Sequence, residues 1–356
     1  MRRAALIIVT SLLLAIAALV ERTAETVAAQ GQRPAGTTFT GKAFRFNKVK
    51  EGVYHAVGTG ALTVVGNSTV IVNDHDVIVV DDHVSPAAAW VLLEEIKAIT
   101  DKPVTTVINT HFHFDHAHGN QIFGPGVQII GHEFTRRALL DDPMSKPLYQ
   151  SFYNFKTLET QIETLKKRLA SEQNAAARDK LQAQLTSLEN NYASQKELRP
   201  TPPNVTLTTQ MTLFRGNREI QIRYLGRGHT AGDVVVYLPA EKAVITGDLL
   251  TSSTSNMSDS YPLEWVATLD ELKKLDFDTV IPGHGDAFTD KAKIDYFAAY
   301  LRDVWTSVSA LKKQGVPAEE AAKRADLSAH KPRFPNPAVP VIGAQRIYAL
   351  IDGTAR

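Results

Sequence analysis

Short β-branched apolar runs alternate with helical stripes along most of this chain. Residues 53–57, 62–65, 68–72 and 77–80 read as strands joined by Gly- or Asn-containing turns. Residues 86–99 read as a helix, with Pro86 in its first turn and Ala89, Leu92, Leu93 and Ile96 as the apolar stripe. A buried strand over 103–108, another over 127–130 and a helix over 132–140 follow. Such alternation is that of a layered α/β protein. The second half resumes it, with strands over 205–208, 220–225, 234–238, 243–246 and 279–282 and a helix over 263–275. Amphipathic helices over 291–311 and 318–325, an extended Pro-rich stretch over 331–340 and a closing helix over 344–351 complete the chain.

The section over 155–198 breaks the alternation. Leu158, Ile162, Leu165 and Leu169 repeat with 4-3-4 spacing, as do Leu181, Leu185, Leu188 and Tyr192. The two stripes are out of register by two positions across residues 171–177, which predicts two antiparallel helices and not one rod. No chemistry-bearing cluster lies here. The section is an insertion packing on its own stripe, or else a lid or a homodimer contact.

Composition narrows the chemistry. Hydrophobic residues at 44% and charged residues at 22% are those of a globular protein. A net charge of +1 gives no general basic surface, so no nucleic-acid partner is expected. With no cysteine, disulfides and thiolate sites are excluded, and a metal must be held by His, Asp or Glu. Arg2-Arg3, the apolar run 4–20 and the small residues Val27-Ala28-Ala29 have the order of a signal peptide over 1–29, cleaved before Gln30. Export to a bacterial periplasm or beyond is therefore expected, without a stable membrane anchor. The run is short of the ~20 apolar residues of a spanning helix.

The densest candidate chemistry is Asn109-Thr110-His111-Phe112-His113-Phe114-Asp115-His116, directly after the strand 103–108. Three imidazoles and a carboxylate at positions i, i+2, i+4 and i+5 would diverge on a helix, whereas a strand running into a loop fans them into one volume. These are ligand types of zinc and non-haem iron. Asp81, at the end of the strand 77–80, is either an orienting residue beside such a site or a turn cap. His55, His75, His83, His118 and His132 are read as surface or polar-network residues. Three later strands each end in a Gly-flanked loop offering one more ligand type: His229, Asp248 and His284.

The HxHxDH motif at 111–116, GHTxGD at 228–233, TGD at 246–248 and PGHG at 282–285 resemble, in order, the motifs of the metallo-β-lactamase-fold hydrolases. The resemblance covers about residues 50–290 and implies an α+β, four-layer αββα sandwich. The corresponding domain spans 45–290 with the helical hairpin 155–198 inserted, followed by a C-terminal helical extension over 291–356. It further implies two zinc ions per chain. His111, His113 and His229 would hold one, Asp115, His116 and His284 the other, and Asp248 would bridge them. Metals about 3.5–4 Å apart clamp a nucleophile and the oxygen that gains charge, and bound water reaches a pKa near 7. Asp115 is then also the catalytic residue that orients the hydroxide.

The implied function is an exported dinuclear zinc hydrolase acting on a small-molecule ester, thioester, amide or lactam, or phosphodiester. His113 stands where the oxygen-reducing di-iron relatives carry Glu, which favours hydrolysis over redox chemistry. Asp248 resembles the bridging Asp of glyoxalase-type thioesterases and phosphodiesterases. The β-lactamases with a Cys ligand are excluded, while those with an all-His/Asp second site remain an alternative. A mononuclear-iron, persulfide-dioxygenase-like enzyme shares much of the ligand set, and a non-catalytic metal-binding scaffold is the fourth reading. His118 departs from the commoner pattern, which has Gly there; it either adds a polar contact near the mouth or marks a different loop.

Overall fold

Two β-sheets lie face to face in a computed structural model that describes residues 32–251, 256–334 and 337–355. The leader expected over 1–29 lies outside those residues. The first sheet contains, in sequence order, β1 (Phe44–Lys50), β2 (Val53–Gly58), β3 (Ser68–Val72), β4 (Val77–Val80), β5 (Val104–Ile108), β6 (Gln128–His132) and β7 (Val205–Leu207). Its neighbours are antiparallel from β1 to β4 and parallel from β4 to β7. The second sheet contains β8 (Gln210–Arg215), β9 (Arg218–Tyr224), β10 (Val234–Leu238), β11 (Ala243–Gly247) and β12 (Thr279–Pro282). Only its β11–β12 pair is parallel.

Period-two alternation decides the layers. Ile78 and Val80 of β4 point into the space between the sheets, where they meet Ile108, Ile130, Ile222, Val234, Val236 and Ile245. Val77 and Val79 point the other way, onto helix α1 (Pro86–Ile96) through Ala88, Leu92 and Ile96. β4 is wholly apolar because both its faces are covered. Ser85 starts α1 by accepting from the Ala88 amide, with Pro86 in the first turn. On the far side, Val235, Tyr237, Val244 and Val280 pack against Trp265, Leu269, Phe297, Leu301 and Val304. The architecture is therefore the expected α+β, αββα sandwich.

Short helices α2 (Phe114–Ala117), α3 (Glu133–Leu140) and α4 (Pro147–Phe152) follow in the first half. The expected hairpin comes next: α5 (Phe155–Ser171) and α6 (Ala175–Lys196), capped by Asn154 and Asn174. Leu158, Ile162, Leu181 and Leu185 are its buried stripe. The C-terminal end of α6 is fixed to the body, where Ser194 Oγ accepts from the Ala87 amide at 3.1 Å. The remaining helices are α7 (Pro262–Lys273), α8 (Ala292–Lys313), α9 (Ala318–Arg324) and α10 (Val341–Ile351).

Three local expectations are corrected. Residues 62–65 form no strand. The strands that flank it in sequence, β2 and β3, pair with each other, and this segment pairs with neither. It becomes a loop that buries Leu62 and leads to Asn67, whose amide donates to Gly283 O at 2.7 Å. Residues 331–334 are turn, not extended chain, and α10 begins at Val341 immediately after Pro340. β1 and β8 were not among the expected strands. Each is the edge strand of its sheet and carries more polar than buried positions, so its sequence pattern is weak.

Candidate metal centre

All the candidate ligands lie where strands end at one rim of the sandwich. β5 leads into His111 and His113, and α2 turns at once so that Asp115 and His116 face the same volume. His229 comes from the loop between β9 and β10, Asp248 directly follows β11, and His284 lies two residues beyond the end of β12. The first four residues therefore hang from one sheet and the last three from the other. Three sets have donor atoms mutually within 4.8 Å: His111, His113 and His229; His111, His116 and Asp248; and Asp115, His116 and His284. Every residue singled out as a ligand from the sequence is brought into this cluster.

Hydrogen bonds on the outer side of the His111, His113 and His116 rings assign their tautomers. Thr110 Oγ1 donates to Asp81 Oδ2 at 2.8 Å and so accepts from His111 Nδ1 at 3.0 Å. The lone pair of His111 is left on Nε2, which is buried without a hydrogen-bond partner. His113 Nε2 donates to Asp259 Oδ2 at 3.0 Å, so its lone pair is on Nδ1, which accepts from His229 Nε2 at 2.9 Å. His116 Nδ1 donates to Asp81 Oδ2 at 2.9 Å, turning Nε2 toward Asp115 Oδ2 and Asp248 Oδ1, each 3.4 Å away. His284 Nε2 lies 3.0 Å from Asp115 Oδ2 and 3.3 Å from Asp248 Oδ2, and His229 Nε2 lies 3.6 Å from the same Asp248 oxygen. Asp248 thus touches both groups of imidazoles.

The electrostatics call for cations here. Burial opposes ionisation of Asp115, but His116 and His284 outweigh it and hold the carboxyl well below the usual carboxylate range. Asp248 is held down likewise, by His284 and His116 against burial. Asp248 in turn raises His284 to about 10. Burial would lower His116, yet the Asp115, Asp248 and Asp81 carboxylates push it well above its ordinary value. Burial, and then the neighbouring imidazoles, depress His111 well below 6.5, and His229 falls to about 3 for the same reasons. The outcome is that His111 and His229 are held neutral beside a carboxylate pair that demands positive charge. Divalent metals would fit both: they would take the place of the protons on His116 and His284 and would satisfy His111 Nε2 and Asp248 Oδ1, which are buried without a hydrogen bond.

The supporting residues were only partly foreseen. Asp81 proves to be an orienting residue: its carboxylate takes the Thr110 amide at 2.7 Å, the Thr110 hydroxyl and His116 Nδ1. It does so from a positive φ of 60°, unusual for a residue with a Cβ. Asp259 was missed. It lies 146 residues from His113 in sequence, and nothing in its surroundings there marks it. His118 makes no contact at the mouth; it is buried, its Nδ1 2.6 Å from the Tyr153 hydroxyl, and burial lowers it to about 3. His55, His83 and His132 are buried outside the ligand sets, and His75 is exposed.

A sequence profile of the metallo-beta-lactamase superfamily matches residues 62–284, which hold the whole ligand cluster. The chain belongs to that superfamily. Over 232 residues it is 24% identical to the linear primary-alkylsulfatase of Pseudomonas sp. (strain ATCC 19151), covering 60% of this chain and 40% of that protein. Over 77 residues it is 34% identical to the metallo-beta-lactamase type 2 of Bacillus cereus, covering 20% of this chain and 30% of that one. The chain thus spans less than half the length of these curated relatives. Among solved structures, a metallo-beta-lactamase from Pontibacter korlensis aligns with a TM-score of 0.51 at 19% identity, over 73% of this chain and 99% of that one. That likeness shows the superfamily fold.

Proposed function

We propose that this chain is an exported, dinuclear zinc-dependent hydrolase of small-molecule substrates. The observation that carries the reading is the convergence of seven metal-ligating side chains at one rim, where His111, His113 and His116 each have one ring nitrogen hydrogen-bonded, to Thr110, Asp259 and Asp81, and the other turned toward the cluster. His111, His113 and His229 would hold one metal and Asp115, His116 and His284 the second, with Asp248 between them. Two such metals supply a nucleophilic hydroxide at neutral pH and a Lewis acid for the substrate oxygen. Asp115 orients the attacking water, since its carboxylate lies at the His284 side, where the cluster is most open; the His284 side chain is 31% exposed. Asp81 and Asp259 hold the rings of His116 and His113 in place.

The substrate bond is an ester, thioester, lactam or phosphodiester, and the likeness to an alkylsulfatase adds sulfate esters to that set. The likeness to metallo-beta-lactamases supports lactam opening as the second reading. Elemental analysis of the purified protein is expected to give about two zinc ions per chain; a single iron would overturn the dinuclear zinc assignment. Turnover of a lactam, thioester, lactone, phosphodiester and alkyl sulfate panel by zinc-loaded protein then selects the substrate class. No turnover across a widened panel would favour a scaffold. Asp248→Ala is expected to lose the second metal and the activity together. For export, N-terminal sequencing of protein from a bacterial periplasm is expected to begin at Gln30.

A further inference from the structure

The loop over residues 256–261 reaches the three-histidine group from outside the ligand motifs. Asp259 Oδ2 accepts from His113 Nε2 at 3.0 Å, and the Tyr261 amide donates to Gly228 O at 2.9 Å, next to His229. The loop therefore braces the His113 ring and the backbone that leads into His229. It is itself held by helix α10, which lies beyond residues 62–284 matched to the superfamily. Arg346 on α10 is 9% exposed; its Nε donates to Ser260 O at 3.1 Å and its Nη2 lies 3.5 Å from Asp259 O. Its guanidinium also sits over the Tyr261 ring at 4.7 Å, while Arg227 sits over the same ring at 4.3 Å and pairs with Glu264 through two hydrogen bonds of 2.6 and 2.7 Å. Met257, at the start of the loop, is buried in the core cluster that also contains Ala344 and Ile347 of α10.

We propose that Arg346 is a positioning residue for the three-histidine metal site, and that α10 fixes that site's affinity through the 256–261 loop. This rests on the metal-binding reading above. A buried guanidinium is a rigid fork of donors, suited to pinning consecutive carbonyls, and its stacking on Tyr261 fixes the loop's direction. With the loop pinned, Asp259 holds the His113 ring with Nδ1 inward. Outer partners of ligating histidines affect metal affinity by about 10–100-fold when removed.

The test is titration of the metal-free full chain with Zn(II) by calorimetry and with Co(II) by absorption spectroscopy. Arg346→Met is expected to weaken one of the two sites about tenfold and to change its cobalt d–d bands. Arg346→Lys, which keeps the charge but not the fork, is expected to recover part of the loss. It also serves if the Met variant fails to fold. Tyr348→Phe is the control: it removes the α10 hydrogen bond from the Tyr348 hydroxyl to Val316 O at 2.6 Å, without touching the loop. It should lower the melting temperature and leave both metal affinities as they were. Two metals bound by wild type with unchanged affinity and spectrum in both Arg346 variants would overturn the inference alone. No metal bound by wild type would overturn the metal-hydrolase reading, and the inference with it. Equal loss of affinity in Tyr348→Phe and Arg346→Met would reduce Arg346 to a packing residue and reject the positioning role.

Discussion

Asp81 shows how much one buried side chain can coordinate. It accepts from His116, from the Thr110 hydroxyl, which in turn takes His111, and from the Thr110 amide. One carboxylate therefore orients a ring from each of the two proposed metal sites. Asp81→Asn keeps the shape but loses acceptors, and is expected to weaken metal binding about 10–100-fold in a chelator competition assay. The candidate ligands were legible in the sequence because they cluster next to apolar runs and glycines. Asp81 was legible only as one of two readings, and Asp259 not at all, since each acts through a partner brought close by the fold. His55 offers a separate residue-scale prediction. Burial pushes its imidazole down to about 4, Asp286 only partly opposing it. The unfolded chain takes up that proton below about 6.5, the folded protein only below about 4, so this contribution to stability is lost as pH falls through that window. Urea unfolding at pH 7.5 and pH 5 should show wild type losing up to about 2 kcal/mol more than His55→Gln over that interval.

At the scale of elements, the site depends on how strands end. Gly247 leaves β11 at φ 50°, and a Cβ there would lie 2.2 Å from Thr110 Oγ1. Gly247→Ala should thus displace the hydroxyl that links His111 to Asp81. The expected loss is on the order of 1–3 kcal/mol, read from the urea midpoint, with weakened metal binding beside it. The same close approach explains why a glycine precedes the proposed bridging aspartate. The hairpin of α5 and α6 was legible from its two leucine stripes, and its caps at Asn154 and Asn174 follow from local hydrogen bonding. Residues 62–65 misled because β-branched composition does not make a strand by itself; the segment must also lie against a strand it can pair with. Removing residues 155–198 separates two proposals for the hairpin. A lid predicts a changed KM at an unchanged oligomeric state in solution, whereas a dimer contact predicts that a dimer becomes a monomer.

For the whole molecule, the cluster ties the two sheets together at one rim. His111, His113, Asp115 and His116 follow a strand of the first sheet, while His229, Asp248 and His284 follow strands of the second. Metals bound there would stabilise the folded state by mass action, by about 4 kcal/mol when free metal is 1,000-fold above its dissociation constant. Chelation is accordingly expected to lower the calorimetric melting temperature, and added zinc to restore it. An unchanged melting temperature would show that the sheets hold together without that contribution.

The sequence by itself determined the layers and the ligand types. Period-two and period-3.6 patterns are local, and the four motifs sit at strand ends that those patterns already mark. Only the tertiary structure decided which nitrogen of His111, His113 and His116 faces inward, because that depends on Asp81 and Asp259 arriving from distant segments, Asp81 acting on His111 through Thr110. It also decided that a C-terminal helix braces the loop carrying Asp259. Hydrogen bonds between side chains far apart in the chain leave no periodic trace along it, so the sequence carries their partners without saying that they meet.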